Sequence, residues 1–292
     1  MTEGETNMSK PLGLYKLGMK IAKGKAPINE ITLFINALLP EAVNQVNSMF
    51  APRQLAKRDR TVEPLPTSKR QLSSYRTRIG TMLEYALSKH MDDLILKMFG
   101  FDLRLTFAVA HEYPDFFVRD AVLGKRVQIE MKAVDADSDE QSARFEVLSS
   151  LINAEEDLVI LVGWAWRNNK LDNGTPYEYP EIFSYVVVPA IELAQERDTS
   201  VVLRGGRVDE TGIFVPSKKQ PGKLTPDPHN AGKILRLIHQ SRKTDLFKLS
   251  EYIQAYMQFV ESVSSRARKQ KLKNRIDEPR QAKPKKSKSF SQ

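Results

Sequence analysis

Two neighbouring stretches decide the fold: HEYPDFFVRD, residues 111–120, and VQIEMK, residues 127–132. The first contains aromatic residues and a valine, the second a valine and an isoleucine, all of which are typical of strands, and Leu123-Gly124-Lys125 between them is a turn signal. We therefore predict a β-hairpin. Because side chains along a strand alternate between the two faces of a sheet, each strand offers one face to the core and one to other uses.

The second strand of this hairpin separates apolar from polar side chains. The apolar face suits a hydrophobic core and carries Val127, Ile129 and Met131. The polar face carries Gln128, Glu130 and Lys132. Asp115 lies where the first strand begins, so tight pairing places it near Glu130 and Lys132. Two carboxylates and an ammonium are then expected to converge over an apolar sheet.

This group of side chains suits one chemistry well. Hard divalent cations such as Mg²⁺ prefer oxygen ligands, and one or two carboxylates together with water and substrate phosphate are often enough to bind them. A metal ion held there polarises a phosphodiester and lowers the pKa of a bound water. A lysine beside it can orient or deprotonate that water, or stabilise charge in the transition state.

At Pro114-Asp115 and Glu130-Met131-Lys132 the chain resembles the PD-(D/E)xK nuclease superfamily, over roughly residues 75–165. The resemblance implies a restriction-endonuclease-like α/β fold, a mixed central sheet flanked by helices. It implies that Asp115 and Glu130 bind Mg²⁺, that Lys132 serves the water nucleophile, and that Glu84 on the preceding helix is a further catalytic residue.

The function expected from this resemblance is Mg²⁺-dependent cleavage of double-stranded DNA. The size of the chain, its single catalytic core and the lack of ATPase or helicase motifs favour a type II restriction endonuclease. A repair, phage or transposon nuclease of the same fold, or a non-catalytic DNA-binding protein, stays open. So does a solvated hairpin whose Glu130–Lys132 pair adds little stability. Since cutting both strands needs two active centres, we expect a homodimer, and the apolar stripe of the helix predicted at 244–264 is either part of its interface or packed in the core.

Positive charge is concentrated at the C-terminus. The net charge is +9 and the pI about 9.5. Residues 266–288 contain eleven Lys or Arg against two acidic residues, which equals the whole net charge. We predict three parts: a helical N-terminal arm and connector (1–67), a nuclease core (68–265) and a disordered basic tail (266–292) that contacts phosphate.

The composition excludes several other classes. The chain has no cysteine, which excludes disulfides, thiol nucleophiles and cysteine zinc sites. Its polar start is unlike a signal peptide, and no apolar run approaches the length of a membrane span. We therefore expect a cytoplasmic protein with no membrane partner.

Periodicity predicts the remaining elements. Helices are expected at 28–39, from Pro40 to about 50, at 68–99, 141–152, 189–196, from 233 and at 244–264; strands at 101–110, 157–166 and 182–188; a polar loop at 167–181; and a second hairpin at 201–215. Ser68 and Gly100 are predicted to begin and end the helix that carries Glu84. The predicted DNA-contacting residues, on two of these helices, are Gln141, Arg144, Lys233 and Arg236.

Overall fold

The computed structural model describes residues 9–51, 58–59, 66–108, 113–137, 143–199, 203–204, 206–208, 214–216, 225–226, 234 and 249–277. Its helices are α1 (Ser9–Ala22), α2 (Ile28–Phe50), α3 (Lys69–Phe99), α4 (Ala190–Thr199) and α5 (Glu251–Asp277). Its strands are β1 (Arg58–Asp59), β2 (Leu103–Phe107), β3 (Phe116–Asp120), β4 (Lys125–Asp135), β5 (Asp157–Lys170), β6 (Pro176–Pro189), β7 (Leu203–Arg204), β8 (Gly206–Val208), β9 (Phe214–Pro216) and β10 (Thr225–Pro226).

A mixed sheet in the order β1-β6-β5-β4-β3-β2 runs through the centre of the protein. β4 and β5 are parallel and the other neighbours are antiparallel. The predicted order of strand (127–132), helix (141–152) and strand (157–166) favours such a parallel pair, and the pairing of β4 with β5 confirms it. Side chains from α1, α2 and α3 form one core on one face of the sheet, and side chains from α4 and α5 form a second core on the other. The mixed α/β class with flanking helices is therefore confirmed.

The predicted hairpin is present as β3 and β4, with Phe116 opposite Ile129. Leu123 adopts a positive φ of 64°, and the Asp120 carboxylate accepts hydrogen bonds from the Val122 and Gly124 amides. A side chain at Gly124 would meet that carboxylate, since an added Cβ would lie 3.0 Å from an Asp120 oxygen. The turn is thus determined by its own residues.

The helix that carries Glu84 also has its predicted ends. The Ser68 hydroxyl accepts from the Gln71 amide, and Gly100 follows the helix with a positive φ of 59°. Its inward side chains are fully or almost fully buried: Ile79, Leu83, Leu87, Met91 and Ile95. These contacts place α3 along β4, with Gly80 against Ala133.

The prediction of a break at Pro40 is wrong, because α2 is continuous through it. A helical proline removes the hydrogen bond to the carbonyl four residues earlier. Here that residue is Asn36, and both Asn36 and Pro40 are exposed, so water can satisfy the freed carbonyl. The buried face of α2 on either side of Pro40 keeps its helical spacing and stabilises the whole helix.

The helix predicted at 141–152 is also wrong over its described part. Residues 143–148 are not helical, and only Ser149–Leu151 form a short 3₁₀ turn. The Arg197 guanidinium donates to the carbonyls of Phe145 and Val147, and the Ile234 amide donates to that of Ala143. Tertiary partners thus take alternate carbonyls, which suits an extended chain and overrides local helix propensity.

Two further boundaries differ from the prediction. The polar loop expected at 167–181 is mostly strand, since β5 and β6 stay paired as far as Lys170 and Pro176. Exposed residues at the outer end of a long hairpin look like a loop in sequence. A second hairpin is present as β8 and β9, but Leu203, predicted in its first strand, belongs instead to β7, which pairs with β10.

The last helix begins at Glu251 rather than 244 and continues through Asp277, so the disorder predicted from 266 is wrong for residues 266–277. No proline or glycine interrupts this stretch. Its apolar stripe packs against the sheet instead of forming a free surface, through Ile253, Tyr256, Phe259, Val260 and Val263.

The homodimer and the domain boundaries stay predictions. Over the described part of the chain, no helix has the length and apolar character to cross a membrane.

A pair of glycines in α1 tests the packing of the N-terminal helix on the core. An added Cβ at Gly18 would lie 2.2 Å from the Phe99 ring, which is stacked on Tyr15. Gly18→Ala should lower the free energy of unfolding by about 1–3 kcal/mol because the ring must move. Gly13 has nothing within 4 Å, so Gly13→Ala should raise it by about 0.5–1 kcal/mol. Urea denaturation measures both, and equal effects would contradict the close packing.

Candidate active site

One edge of β4 loses its neighbouring strand halfway along. The pairing with β3 ends at Phe116 and Ile129, whereas the pairing with β5 continues to Asp135 and Trp164. Successive amides of a strand point alternately to its two neighbours, and the Gln128 amide points to the β5 side. The amides of Met131 and Ala133 therefore point to the edge that β3 has left open.

Two carboxylates fill this open edge of β4. Asp115 Oδ2 accepts from the Met131 amide at 2.8 Å, and Glu84 Oε1 accepts from the Ala133 amide at 2.7 Å. Buried amides need a partner, and here side chains replace the missing strand. Asp115 comes from the start of β3 and Glu84 from α3, so separate elements meet at this edge.

Lys132 and Glu130 stand beside these carboxylates on one face of β4. The Lys132 ammonium lies 2.5 Å from Glu130 Oε1 and 3.9 Å from Asp115 Oδ2. Glu130 is only 7% exposed. The structure thus brings together all four residues that the sequence singled out for catalysis. We call Glu84, Asp115, Glu130 and Lys132 the carboxylate cluster.

The charges of the carboxylate cluster are unbalanced. Burial raises the pKa of Glu84 to about 7, although Lys132 and the Ala133 amide act against it. Burial also raises the pKa of Glu130, again opposed by Lys132. Burial alone would lower the pKa of Lys132, but the charges of Glu130 and Asp115 outweigh it and raise that pKa. Three carboxyl groups share one ammonium, so the cluster favours an additional cation or proton.

The donor atoms of the cluster fit Mg²⁺, which prefers carboxylate oxygens and needs only one or two of them from the protein. Asp115 and Glu130 are the residues that would hold it. As the side chains stand, no three Asp, Glu or His residues in the described ranges are arranged to hold a metal ion. The Lys132 ammonium lies between the two carboxylates, and a bound cation must compete with it.

Sequence reasoning missed two polar groups next to the cluster. Asp157, which is fully buried at the start of β5, accepts from the Tyr113 hydroxyl at 2.6 Å. Asp135, near the end of β4, pairs with Arg76 Nε at 2.9 Å. The sequence did contain a signal for Asp157, because this charged residue directly precedes the apolar run Leu158–Val162. A carboxylate buried at the start of such a strand requires hydrogen-bond partners.

The predicted DNA-contacting residues do not form a site in the described structure. Arg144 lies in the extended segment and donates to Glu146 at 2.9 Å. Gln141, Lys233 and Arg236 lie outside the described residues. Two basic residues on the same helix as Glu84 pair with other carboxylates. Arg76 pairs with Asp135, and Lys89 pairs with Asp93.

Comparisons with known proteins add no relative: no protein-family model and no curated protein matches this chain. The likeness to the PD-(D/E)xK superfamily therefore depends on the motif residues themselves and on the geometry around them.

The raised pKa of Glu84 predicts how stability depends on pH in the metal-free protein. Its folded-state pKa of about 7 lies above its ordinary value of 4.5. The folded state then binds more protons between these values, so stability is lost as the pH rises through 7. Glu84→Gln stays neutral and keeps an oxygen for the Ala133 amide. It should raise the free energy of unfolding at pH 8 by about 1–3 kcal/mol and change it little at pH 5.

Urea denaturation in EDTA at pH 5 and pH 8 measures this difference. Glu155 is exposed, so Glu155→Gln is the control and should show no such gain. A Glu84→Gln protein that is less stable than wild type at pH 8 would contradict the buried position of this carboxyl group.

Proposed function

We propose that this protein is a Mg²⁺-dependent endonuclease that hydrolyses phosphodiester bonds of double-stranded DNA. The observation that supports the proposal is the carboxylate cluster itself. Its residues come from α3, from the start of β3 and from β4, and they meet at an edge of the sheet where two amides lack a strand partner. This combination of acidic oxygens and one lysine suits phosphoryl chemistry.

Each side chain of the cluster has a distinct role in this proposal. Asp115 and Glu130 hold Mg²⁺, which when bound supplies positive charge against the phosphodiester and acidifies the attacking water. Lys132 is a stable ammonium among carboxylates, which favours orienting the water or stabilising charge over deprotonation. Glu84, whose pKa is about 7, is suited to accept a proton near neutral pH.

Within this function we favour a sequence-specific type II restriction endonuclease with a restriction-endonuclease-like fold, acting as a homodimer. The central mixed sheet with helices on both faces supports this choice at the level of the α/β class. A repair, phage or transposon nuclease would use the same cluster. Because α5 packs on the sheet, the dimer needs another surface.

Plasmid cleavage in Mg²⁺, compared with EDTA, tests the proposal. Asp115→Asn and Glu130→Gln should each lower cleavage by about 10²–10³-fold, because each removes a carboxylate that would hold Mg²⁺, the charge that would stabilise the reacting phosphate. Asparagine keeps an oxygen for the Met131 amide, so the fold is expected to persist. Asp93→Asn is the matched control, since Asp93 pairs with Lys89 on the exposed side of α3.

Discrete bands from wild type support a restriction enzyme, and a smear supports a non-specific nuclease. Wild-type rates in the Asp115→Asn protein would contradict the assignment. Intact DNA with a gel shift would instead favour a non-catalytic DNA-binding protein.

The second candidate function, DNA binding without catalysis, is favoured by the basic segment from Arg266. The helical backbone of α5 carries residues 266–277 of this segment beyond Val263, which is buried against the sheet. Ending the chain at residue 265 removes eleven basic residues and leaves the contacts of α5 with the sheet. The slope of log affinity against log salt should fall by about 0.9 for each lost phosphate contact. A filter-binding titration over salt measures the slope, and an unchanged slope would refute phosphate contact by this segment.

A further inference from the structure

The loop that carries Asp115 is tied to β5 by a buried carboxylate. Asp157 is fully buried and accepts three hydrogen bonds. Their donors are the Tyr113 hydroxyl at 2.6 Å, Gln128 Nε2 at 2.8 Å and the Asn153 amide at 2.9 Å. Tyr113 precedes Asp115 by two residues, and Gln128 precedes Glu130 by two residues on the same face of β4. Asp157 therefore connects two of the three segments that carry the carboxylates of the cluster, those of Asp115 and Glu130.

The tyrosine in this arrangement is a hydrogen-bond donor and not a nucleophile. Its hydroxyl points to Asp157, and burial together with that carboxylate raises the pKa of Tyr113 well above its ordinary value. The phenol thus stays protonated and keeps its bond to Asp157. A tyrosyl nucleophile would need the opposite environment.

Asp115 is held from more than one direction. Its carbonyl accepts from the Ala108 amide at 2.8 Å, which extends the β2–β3 pairing by one residue. Its carboxylate accepts from the Met131 amide at 2.8 Å. The Tyr113–Asp157 bond adds an attachment to β5 just before this point. Side chains that must stay within a fraction of an ångström of a productive geometry need such support.

We propose that Tyr113 and Asp157 are positioning residues that fix the Asp115 carboxylate against the open edge of β4. This role rests on the proposed nuclease function for its effect on activity, but its structural part is independent of that function. Without the Tyr113–Asp157 bond, Asp115 leaves the Met131 amide more often and spends less time beside Lys132 and Glu130.

Hydrogen exchange in the metal-free protein tests the structural part. The amides of Met131 and Ala133 lie on the same edge of β4, but Asp115 covers the first and Glu84 the second. Tyr113→Phe should accelerate exchange at Met131 by about fivefold and leave Ala133 unchanged. Nuclear magnetic resonance resolves the two amides. Equal acceleration at both, or none at Met131, would overturn the proposal.

The matched control is Tyr177→Phe. The Tyr177 hydroxyl also donates a buried hydrogen bond, to the Ala51 carbonyl at 2.7 Å, but at the far end of β6. The Tyr177→Phe substitution should leave exchange at Met131 at the wild-type rate. Acceleration at Met131 in this control would show general loosening and overturn the positioning role.

Metal affinity and cleavage test the functional part. Calorimetric titration with Mg²⁺ should show about tenfold weaker binding in Tyr113→Phe than in wild type, and cleavage should need about tenfold more Mg²⁺. At saturating Mg²⁺ the cleavage rate should recover, which a damaged fold would not allow. Asp157→Asn, which keeps one acceptor oxygen, should also accelerate exchange at Met131 and weaken Mg²⁺ binding, as Tyr113→Phe does.

The two proposals fail separately. If Tyr113→Phe accelerates exchange at Met131 but the wild-type protein neither binds Mg²⁺ nor cleaves DNA, the nuclease function is refuted and the positioning of Asp115 stays supported. Unchanged exchange and unchanged Mg²⁺ affinity in Tyr113→Phe, with wild-type cleavage intact, refute the positioning role and leave the nuclease supported.

Discussion

The departure of β3 from β4 is the constraint on which the candidate site depends. A strand that loses its neighbour leaves amides that must find other acceptors, since an unpaired buried amide costs about 1–3 kcal/mol. The acceptors at Met131 and Ala133 are the carboxylates of Asp115 and Glu84. The end of the β3–β4 pairing thus explains why these two carboxylates lie on one edge of β4. Geometry of the sheet and chemistry of the site therefore have one cause.

The electrostatics of the cluster differ from those of ordinary ion pairs in this protein. Lys20–Glu30 and Lys89–Asp93 pair one cation with one anion at the surface, and such pairs contribute little to stability. In the cluster, the Lys132 ammonium pairs with both Glu130 and Asp115. Glu84 is also close enough to raise the pKa of Lys132. Burying this excess of negative charge destabilises the metal-free fold. Residues chosen for stability alone would balance the charges, and this imbalance is the observation on which the proposed cation-binding role depends.

Much of the fold near the site was predictable because its signals are local. The turn at Gly124, the cap at Ser68 and the alternation along β4 each depend on a few neighbouring residues. The errors occurred where distant contacts decide the structure. Arg197, some fifty residues away, keeps Phe145 and Val147 extended, and the packed face of α2 carries the helix through Pro40. The contacts of Arg197 leave no local pattern, whereas the apolar spacing that carries α2 across Pro40 is present in the sequence.

The predictability of the site divides in the same way. Asp115, Glu130 and Lys132 could be placed together from strand pairing, whereas Glu84 was expected at the site from the family resemblance. The contact of Tyr113 with Asp157 could not be predicted, because it joins residues forty-four apart and depends on the register of the β4–β5 pairing as well as on its direction. That pairing sets Asp157 opposite Gln128, one step from the strand segment that carries Glu130 and Lys132. The connection that makes β4 and β5 parallel thus also places the buried Asp157 carboxylate where it binds Tyr113 in the Asp115 loop. The geometry of the site depends on the topology of the sheet as much as on its motif.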